Sequence, residues 1–150
     1  MPASMLRTIV TLVLLFHGVG HVMGVIPMLR LFGTESGSGP EWFRNWSSRS
    51  WLLTGTLGGP AAQLIGAVLF LASFFGFAAA ALGLADWLVP HGLWRTIAAT
   101  SAVISLFAVI LYWKAFIYVF PHKVGAIGVD LAVLVCLVWL GWPSEQRFGF

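Results

Sequence analysis

The sequence predicts an all-α integral membrane protein: a single domain over residues 1–150, built as an up-down bundle of four transmembrane helices. Of the 150 residues, 59% are hydrophobic and 9% are charged, whereas soluble domains carry about 25% charged residues. The mean hydropathy is +0.94, and the apolar residues are gathered into long stretches between prolines and charges. These observations exclude a cytosolic enzyme, a disordered tail and a nucleic-acid-binding domain with a basic face.

The first two predicted spans cover about residues 8–29 and 61–85. A helix rises about 1.5 Å per residue, so crossing a hydrocarbon layer of about 30 Å takes about 20 apolar residues. Residues 8–29 contain no formal charge, and Pro27 is expected to end this helix or bend its last turn. The second span follows Gly58-Gly59-Pro60, which is typical of a break between helices.

The third and fourth predicted spans cover about residues 96–113 and 124–142. Lys114 and Pro121 close the third span, and Pro143 closes the fourth. Tryptophan favours the membrane–water interface because its ring is apolar while its N–H needs a polar partner. All eight tryptophans lie in loops or near span ends and predict an interfacial belt: Trp42, Trp46, Trp51, Trp87, Trp94, Trp113, Trp139 and Trp142.

The loop of residues 30–60 is the one sizeable segment expected outside the membrane. Its glycine- and serine-rich part, residues 33–39, predicts a flexible loop, and Pro40 and Glu41 suit the start of a helix. The aromatic spacing that follows indicates either a short interfacial helix or an irregular loop packed over the bundle. Four side chains are candidate contacts with the interface or with a partner subunit: Trp42, Phe43, Trp46 and Trp51.

The distribution of positive charge weakly indicates the orientation. Four spans place both termini on one side, which carries three cations, Arg7, Arg95 and Arg147. The opposite side carries five, Arg30, Arg44, Arg49, Lys114 and Lys123. Because cytoplasmic loops are enriched in Lys and Arg, the count favours termini outside the cell.

Three ionisable side chains lie at membrane depth: His17 and His21 in the first span and Asp130 in the fourth. Such groups are costly to insert and need partners. The i, i+4 spacing places both imidazoles on one helix face, and Gly20 and Gly24 should let another helix approach that face closely. The helical rise puts His21 and Asp130 each about 9–10 Å from the same surface, so we expect these two side chains to be in contact.

The His17/His21/Asp130 cluster allows three interpretations. It can be a structural clasp that fixes helix register. It can bind a proton or a quinone headgroup, since a histidine with a carboxylate partner titrates near neutral pH and bonds a carbonyl. It can also bind a metal, because His17 and His21 can ligate one ion in cis, although they cannot supply both trans axial ligands of a haem. The residues favour quinone over metal or haem as a cofactor.

Two short stretches carry a resemblance to a known family. The first stretch is Leu15-Phe16-His17-Gly18-Val19-Gly20-His21-Val22-Met23-Gly24, and the second is the glycine-containing start of the last span, residues 124–130. Together they resemble a separate branch of the DoxX-like group of small four-helix bacterial membrane proteins. The resemblance implies an inner-membrane protein associated with redox systems, including quinone-linked sulfur oxidation. His21 stands where DoxX proteins commonly carry a basic residue, so the resemblance does not assign a catalytic residue.

The sequence therefore predicts a small subunit or accessory protein of a membrane redox system, surrounded by lipid and assembled with other membrane subunits or with itself. Two alternatives stay open. One is an oligomeric transporter for a small solute, with or without proton coupling, that uses the same polar cluster. The other is a purely structural subunit that contacts a larger complex through its tryptophan-rich loop.

Overall fold

The computed structural model describes residues 2–34, 40–43, 45–116 and 119–148, and within these ranges the secondary structure is entirely helical. The helices are α1 (Ala3–Met28), α2 (Leu53–Leu57), α3 (Gly59–Leu84), α4 (Trp94–Leu111), α5 (Val124–Leu134) and α6 (Glu145–Phe148). A wider, π-helical turn, Val135–Trp139, extends α5. The all-α prediction is confirmed.

Among the described residues, three helical segments are long and apolar enough to cross a membrane: Ala3–Met28, Gly59–Leu84 and His91–Leu111. Two predicted helix boundaries are also confirmed. Helix α1 ends one residue after Pro27, and α3 starts after Gly58, whose φ of +86° suits glycine. The fourth apolar helix, Val124–Trp139, is shorter than the other three. The first span begins five residues earlier than predicted, at Ala3.

Helix α3 lies at the centre of the bundle, with α1 on one side and α4 on the other, and α5 packs mainly against α4. The antiparallel arrangement of α1 and α3 is fixed at one end by Arg7, whose Nε donates a hydrogen bond to the Leu84 carbonyl at 2.8 Å. Contact between α1 and α5 is sparse. We expected the first and last spans to be neighbours along their length, but they meet only locally and leave a cleft between them.

The buried side chains form two apolar clusters, one at each end of the bundle. The cluster at the end that holds the start of α1 includes Leu6, Leu84, Trp94 and Phe148. The cluster at the other end includes Met28, Trp46, Phe70 and Tyr112. The polar residues His21, Ser105 and Asp130 lie between these two clusters and are buried. They therefore form a polar layer with an apolar cluster on either side along the bundle.

Close approach of α1 to α3 depends on Gly24. A Cβ at this position would lie 2.5 Å from the Phe70 ring. Gly20, the other member of the predicted close-contact pair, has open space on its Cβ side and faces the cleft. The sequence prediction was therefore right for Gly24 and wrong for Gly20.

We predict that Gly24→Ala destabilises the bundle by about 1–3 kcal/mol, the usual cost of overpacking a tight interface. Phe70 is fully buried and its ring has no room to move aside. Gly20→Ala is the matched control, and we expect it to be neutral or slightly stabilising because alanine restricts the unfolded chain. Denaturant unfolding in detergent, followed by circular dichroism, measures both. Equal stability of the two variants would contradict the predicted packing.

Of the two predicted forms of the loop between α1 and α3, the described residues have the irregular aromatic loop and not the interfacial helix. One helical turn, Glu41–Phe43, is present, and residues 45–52 form turns and irregular chain. Residues 35–39 of the predicted flexible segment, and Arg44, lie outside the described residues. Trp46 is only 2% exposed and packs edge-on against Phe116, so it contributes to the core and does not present a surface to a partner.

Six of the eight tryptophans have the exposed ring that an interfacial belt requires, and two do not. Trp94, like Trp46, is buried, because it packs edge-on against Phe148 beneath the C-terminal segment. Trp51 shows the expected interfacial arrangement: its ring is exposed while its Nε1 donates to the Ile110 carbonyl at 2.8 Å. The other five are exposed: Trp42, Trp87, Trp113, Trp139 and Trp142.

The C-terminal helix α6 is fastened to the start of α4 through Glu145. Its carboxylate accepts a hydrogen bond from Arg95 Nε at 2.7 Å and lies 2.8 Å from His91 Nε2. Partial burial disfavours the charged carboxylate. The hydrogen bonds from Arg95 and His91, together with their charges, outweigh this effect and place the pKa of Glu145 below its ordinary value of 4.5.

We predict that this attachment is acid-sensitive. A carboxyl whose pKa is lower in the folded state stabilises the fold above its unfolded-state pKa, and this contribution is lost as pH falls through the lowered value. Below pH 4.5, the protection of residues 144–148 from hydrogen exchange, taken relative to the intrinsic exchange rate at each pH, should therefore fall. Glu145→Gln should show the lower protection already at neutral pH, with a loss of at most about 1 kcal/mol for a partly exposed pair. Glu41→Gln, in the opposite loop, is the control, and protection of residues 144–148 that stays constant through this pH range would contradict the prediction.

Candidate functional site

His17, His21, Ser105 and Asp130 form a hydrogen-bonded cluster between α1, α4 and α5. His17 Nε2 lies 2.7 Å from Oδ1 of Asp130, and Ser105 donates its hydroxyl proton to Oδ2 of the same carboxylate. His21 Nε2 lies 3.0 Å from Ser105 Oγ and 3.4 Å from His17 Nε2. Two groups, His17 and Ser105, therefore bond the carboxylate directly, and His21 is joined to it through Ser105.

The structure corrects which histidine contacts Asp130. We expected His21 to meet the carboxylate, with His17 one turn closer to the membrane centre, but His17 makes the contact and His21 reaches it through Ser105. The depth estimate treated the helices as straight, parallel rods that begin at the same surface. The chain enters α5 through a π-helical segment, residues 119–123, with Phe120 in an extended conformation, which shifts the register of α5 against α1.

Phe77 of α3 holds both imidazole rings. It stacks on His21 with a centroid separation of 5.8 Å and an interplanar angle of 9°, and it meets His17 edge-on at 4.7 Å. Phe70 stacks on the same face of the site, 6.3 Å from His21. Because α3 is the central helix, its packing holds the two rings in place, with their Nε2 atoms 3.4 Å apart.

The cluster borders a cleft between α1, α4 and α5. The cleft has a volume of about 260 Å³ and is lined by Phe16, His17, Gly20, His21, Met23, Val109, Phe116, His122 and Ala126. His17 and His21 contribute polar atoms at one part of the wall and His122, which precedes α5, at another. The side chains between them are apolar, so a ligand here would meet a polar site inside an otherwise apolar surface.

A second cavity lies along the same α1–α5 seam, towards the start of α1. It also measures about 260 Å³ and is lined almost entirely by apolar side chains, among them Val10, Leu14, Val133 and Cys136. Cys136 is partly buried there as a free thiol. The seam thus carries an apolar groove on one side of the His17–Asp130 contact and the histidine-lined cleft on the other.

Sequence reasoning did not assign Ser105 to the site. Ser and Thr in membrane helices commonly bond their own backbone, as Ser101 does with the Ile97 carbonyl at 2.7 Å. Ser105 instead bonds Asp130 and His21. The available signal was its position four residues after Ser101, which places both hydroxyls on one face of α4.

One proton arrangement satisfies the whole cluster. His17 Nε2–H donates to Asp130, Ser105 O–H donates to the other carboxylate oxygen, and His21 Nε2–H donates to Ser105 Oγ. With both imidazoles neutral, the cluster carries a single negative charge in a buried, apolar environment. One further proton on His17 makes it neutral, so the geometry suits the binding of a proton, a cation or a hydrogen-bonding carbonyl group.

Comparisons with protein-family models, with curated proteins and with solved structures gave no match for this chain.

Proposed function

We propose that this chain is a small subunit or accessory protein of a redox system in the bacterial inner membrane, and that its histidine–aspartate cluster binds a quinone headgroup and a proton. The observation that carries the proposal is that His17 and His21 line a cleft and that His17 also contacts the buried carboxylate of Asp130. The resemblance to the DoxX-like group supports the redox setting.

The shape of the site supports a quinone over a water-soluble ligand. A cleft of about 260 Å³ is near the lower end of small-molecule sites, which run from about 300 to 1,000 Å³, so it suits a single ring. A quinone carbonyl accepts hydrogen bonds. Both Nε2–H groups already have acceptors within the cluster, so the donor to the carbonyl would be the Nδ1–H of a His17 that has taken up the further proton. The apolar groove on the same seam suits the isoprenoid tail.

We further propose that Val124–Trp139 completes a four-span bundle with both termini outside the cell. Leu6 of α1 and Phe148 of α6 belong to the same apolar cluster, so both ends of the chain meet at one end of the bundle, as an even number of crossings requires. The excess of Lys and Arg on the opposite side supports a cytoplasmic location for the loops that carry it.

Titration of the purified, delipidated protein in detergent with decylubiquinone tests the proposal. We expect saturable binding at one site per chain, weakened at least tenfold in His21→Leu and in Asp130→Asn. His91→Gln, which replaces a histidine outside the cluster, is the control and should bind like the wild type. Absence of saturable binding, or equal binding by all variants, would contradict the proposal.

An exposed aromatic stack favours a second candidate, a structural role in a larger membrane complex. The ring of Phe43 stacks between those of Phe32 and Trp42 at 5.5 Å each, and the two outer rings are exposed. If this stack contacts a partner subunit, Phe32→Ala/Trp42→Ala should abolish copurification of that subunit. Trp87→Ala, at an exposed site in another loop, should leave it unchanged, and copurification that survives the double substitution would exclude this surface.

A further inference from the structure

We infer that the cluster is also a binding site for one divalent first-row transition metal ion, with His17 Nε2, His21 Nε2 and a carboxylate oxygen of Asp130 as the ligands. The inference concerns the same residues as the proposed function but does not depend on it, because metal binding requires no quinone.

The ligand atoms already converge. One from each of His17, His21 and Asp130 can be chosen so that all lie within 4.8 Å of one another. In a tetrahedral site with metal–ligand bonds of about 2.0–2.1 Å, neighbouring ligand atoms are separated by about 3.3 Å. The two Nε2 atoms, 3.4 Å apart, match this spacing. Asp130 Oδ1, 2.7 Å from His17 Nε2, would need to move away from this atom by less than 1 Å, and the third pair, His21 and Asp130, lies within 4.8 Å and would need to close towards the same spacing.

The facing Nε2 atoms also distinguish a metal site from a simple hydrogen-bonded clasp. In the metal-free arrangement both Nε2 atoms carry protons, so the contact of 3.4 Å brings two donors together. When each imidazole holds its proton on Nδ1 instead, both Nε2 atoms offer a lone pair, and at 3.4 Å from each other they are close enough to bind one ion. This change of tautomer releases no proton and provides two of the three ligands.

The donor set selects the class of metal. Two imidazoles and one carboxylate suit Zn²⁺ or Fe²⁺, whereas Mg²⁺ and Ca²⁺ prefer oxygen ligands alone. Three protein ligands leave a coordination position open for water or a substrate. His17 and His21 line the cleft, and Gly20 between them has no side chain to close it, so we infer that the open position faces the cleft.

Two neighbouring residues, Ser105 and Phe77, hold the ligands in position, as the residues around the ligands of a metal site do. Ser105 donates to Asp130 Oδ2, which leaves Oδ1 for the metal, and Phe77 fixes both imidazole rings. Loss of an outer-shell partner commonly lowers metal affinity about 10–100-fold. Ser105→Ala should therefore weaken binding by this factor while the three ligands stay in place.

The test uses the full chain in detergent, treated with EDTA and dialysed, and titrated with Zn²⁺ against a chromophoric chelator. We expect one high-affinity ion per chain, with binding lost in His17→Leu and His21→Leu and weakened in Ser105→Ala. His91→Leu, which makes the same change at a histidine outside the cleft, is the matched control and should bind like the wild type. A stoichiometry of zero, or binding that depends on a control histidine and not on His17 and His21, would overturn the inference.

Loading the wild-type chain with Co²⁺ gives a readout that does not depend on whether a variant folds. We expect the intense visible bands of four- or five-coordinate cobalt, and the weak spectrum of hexaaqua cobalt would overturn the inference. Decylubiquinone titration of the metal-free protein separates the two proposals. Quinone binding without Zn²⁺ binding would leave the proposed function standing and the metal site refuted, and the reverse result would do the opposite.

Discussion

Replacing His17 by leucine is expected to lower the free energy of unfolding by about 2–3 kcal/mol, because a hydrogen bond to a charged group contributes about 1.5–3 kcal/mol. Asp130 is 0% exposed, and His17 is its direct partner at 2.7 Å. Without the imidazole, the carboxylate keeps only the hydrogen bond from Ser105 and must either stay charged in a dry interior or take up a proton. Reversible denaturation in detergent, monitored by circular dichroism, measures the loss.

The double variant His17→Leu/Asp130→Leu shows whether the cluster is needed for folding. Replacing both members of a buried polar pair by apolar groups is often neutral or stabilising, so we expect the double variant to recover most of the stability lost in His17→Leu. It should nevertheless fail to bind decylubiquinone or Zn²⁺. His91→Leu serves as the control for a His-to-Leu change outside the cluster. A His17→Leu chain within about 1 kcal/mol of the wild type would contradict a direct role in holding Asp130.

The stabilities of the single and double variants therefore help to distinguish a structural clasp from a functional site. If the cluster only fixed helix register, the apolar double variant would lose nothing but specificity of packing. Placing an aspartate inside the membrane costs free energy, and a leucine at the same position would pack without this cost. A stable double variant that binds neither ligand would argue that the polar groups serve binding rather than folding.

The positions of most helices could be predicted from the sequence because their signals are local. Uninterrupted apolar stretches and the breaks at Pro27 and Gly58 depend on a few neighbouring residues, and the structure has helix ends at both. The loop of residues 30–60 was harder. The spacing of its aromatic residues is compatible with Trp46 facing lipid and also with Trp46 packing in the core. Only tertiary packing, which the sequence does not show, places Trp46 in the core.

The residues of the site could be predicted, but their pairing could not. His17, His21 and Asp130 are conspicuous because ionisable groups at membrane depth are costly. Which histidine meets the carboxylate depends on the register of α5 against α1, and that register is set by the irregular chain before α5. Ser105 carried no comparable signal, because a serine is inexpensive in a membrane helix and is commonly satisfied by its own backbone.

Phe77→Ala is expected to be the most damaging single substitution on α3, with a loss of about 3–5 kcal/mol. Phe77 is 0% exposed and sits where α3 faces α1, with its Cβ 3.0 Å from where a Cβ on Gly18 would lie. Removing the ring leaves a cavity between the helices, since the backbones are already in close contact and cannot collapse further. It also frees both imidazoles, so binding of decylubiquinone and Zn²⁺ should weaken in the same variant.

Phe75→Ala is the matched control, because it makes the same chemical change two residues away on the same helix. Phe75 is 62% exposed and faces away from the core, so its removal deletes surface contacts without leaving a cavity. We expect a loss below about 1 kcal/mol and unchanged binding. Phe77→Leu separates packing from ring contact: it refills most of the cavity but cannot stack on His21, so it should recover stability more fully than affinity. If Phe77→Leu restored both equally, the aromatic contacts with His17 and His21 would have no role beyond filling space.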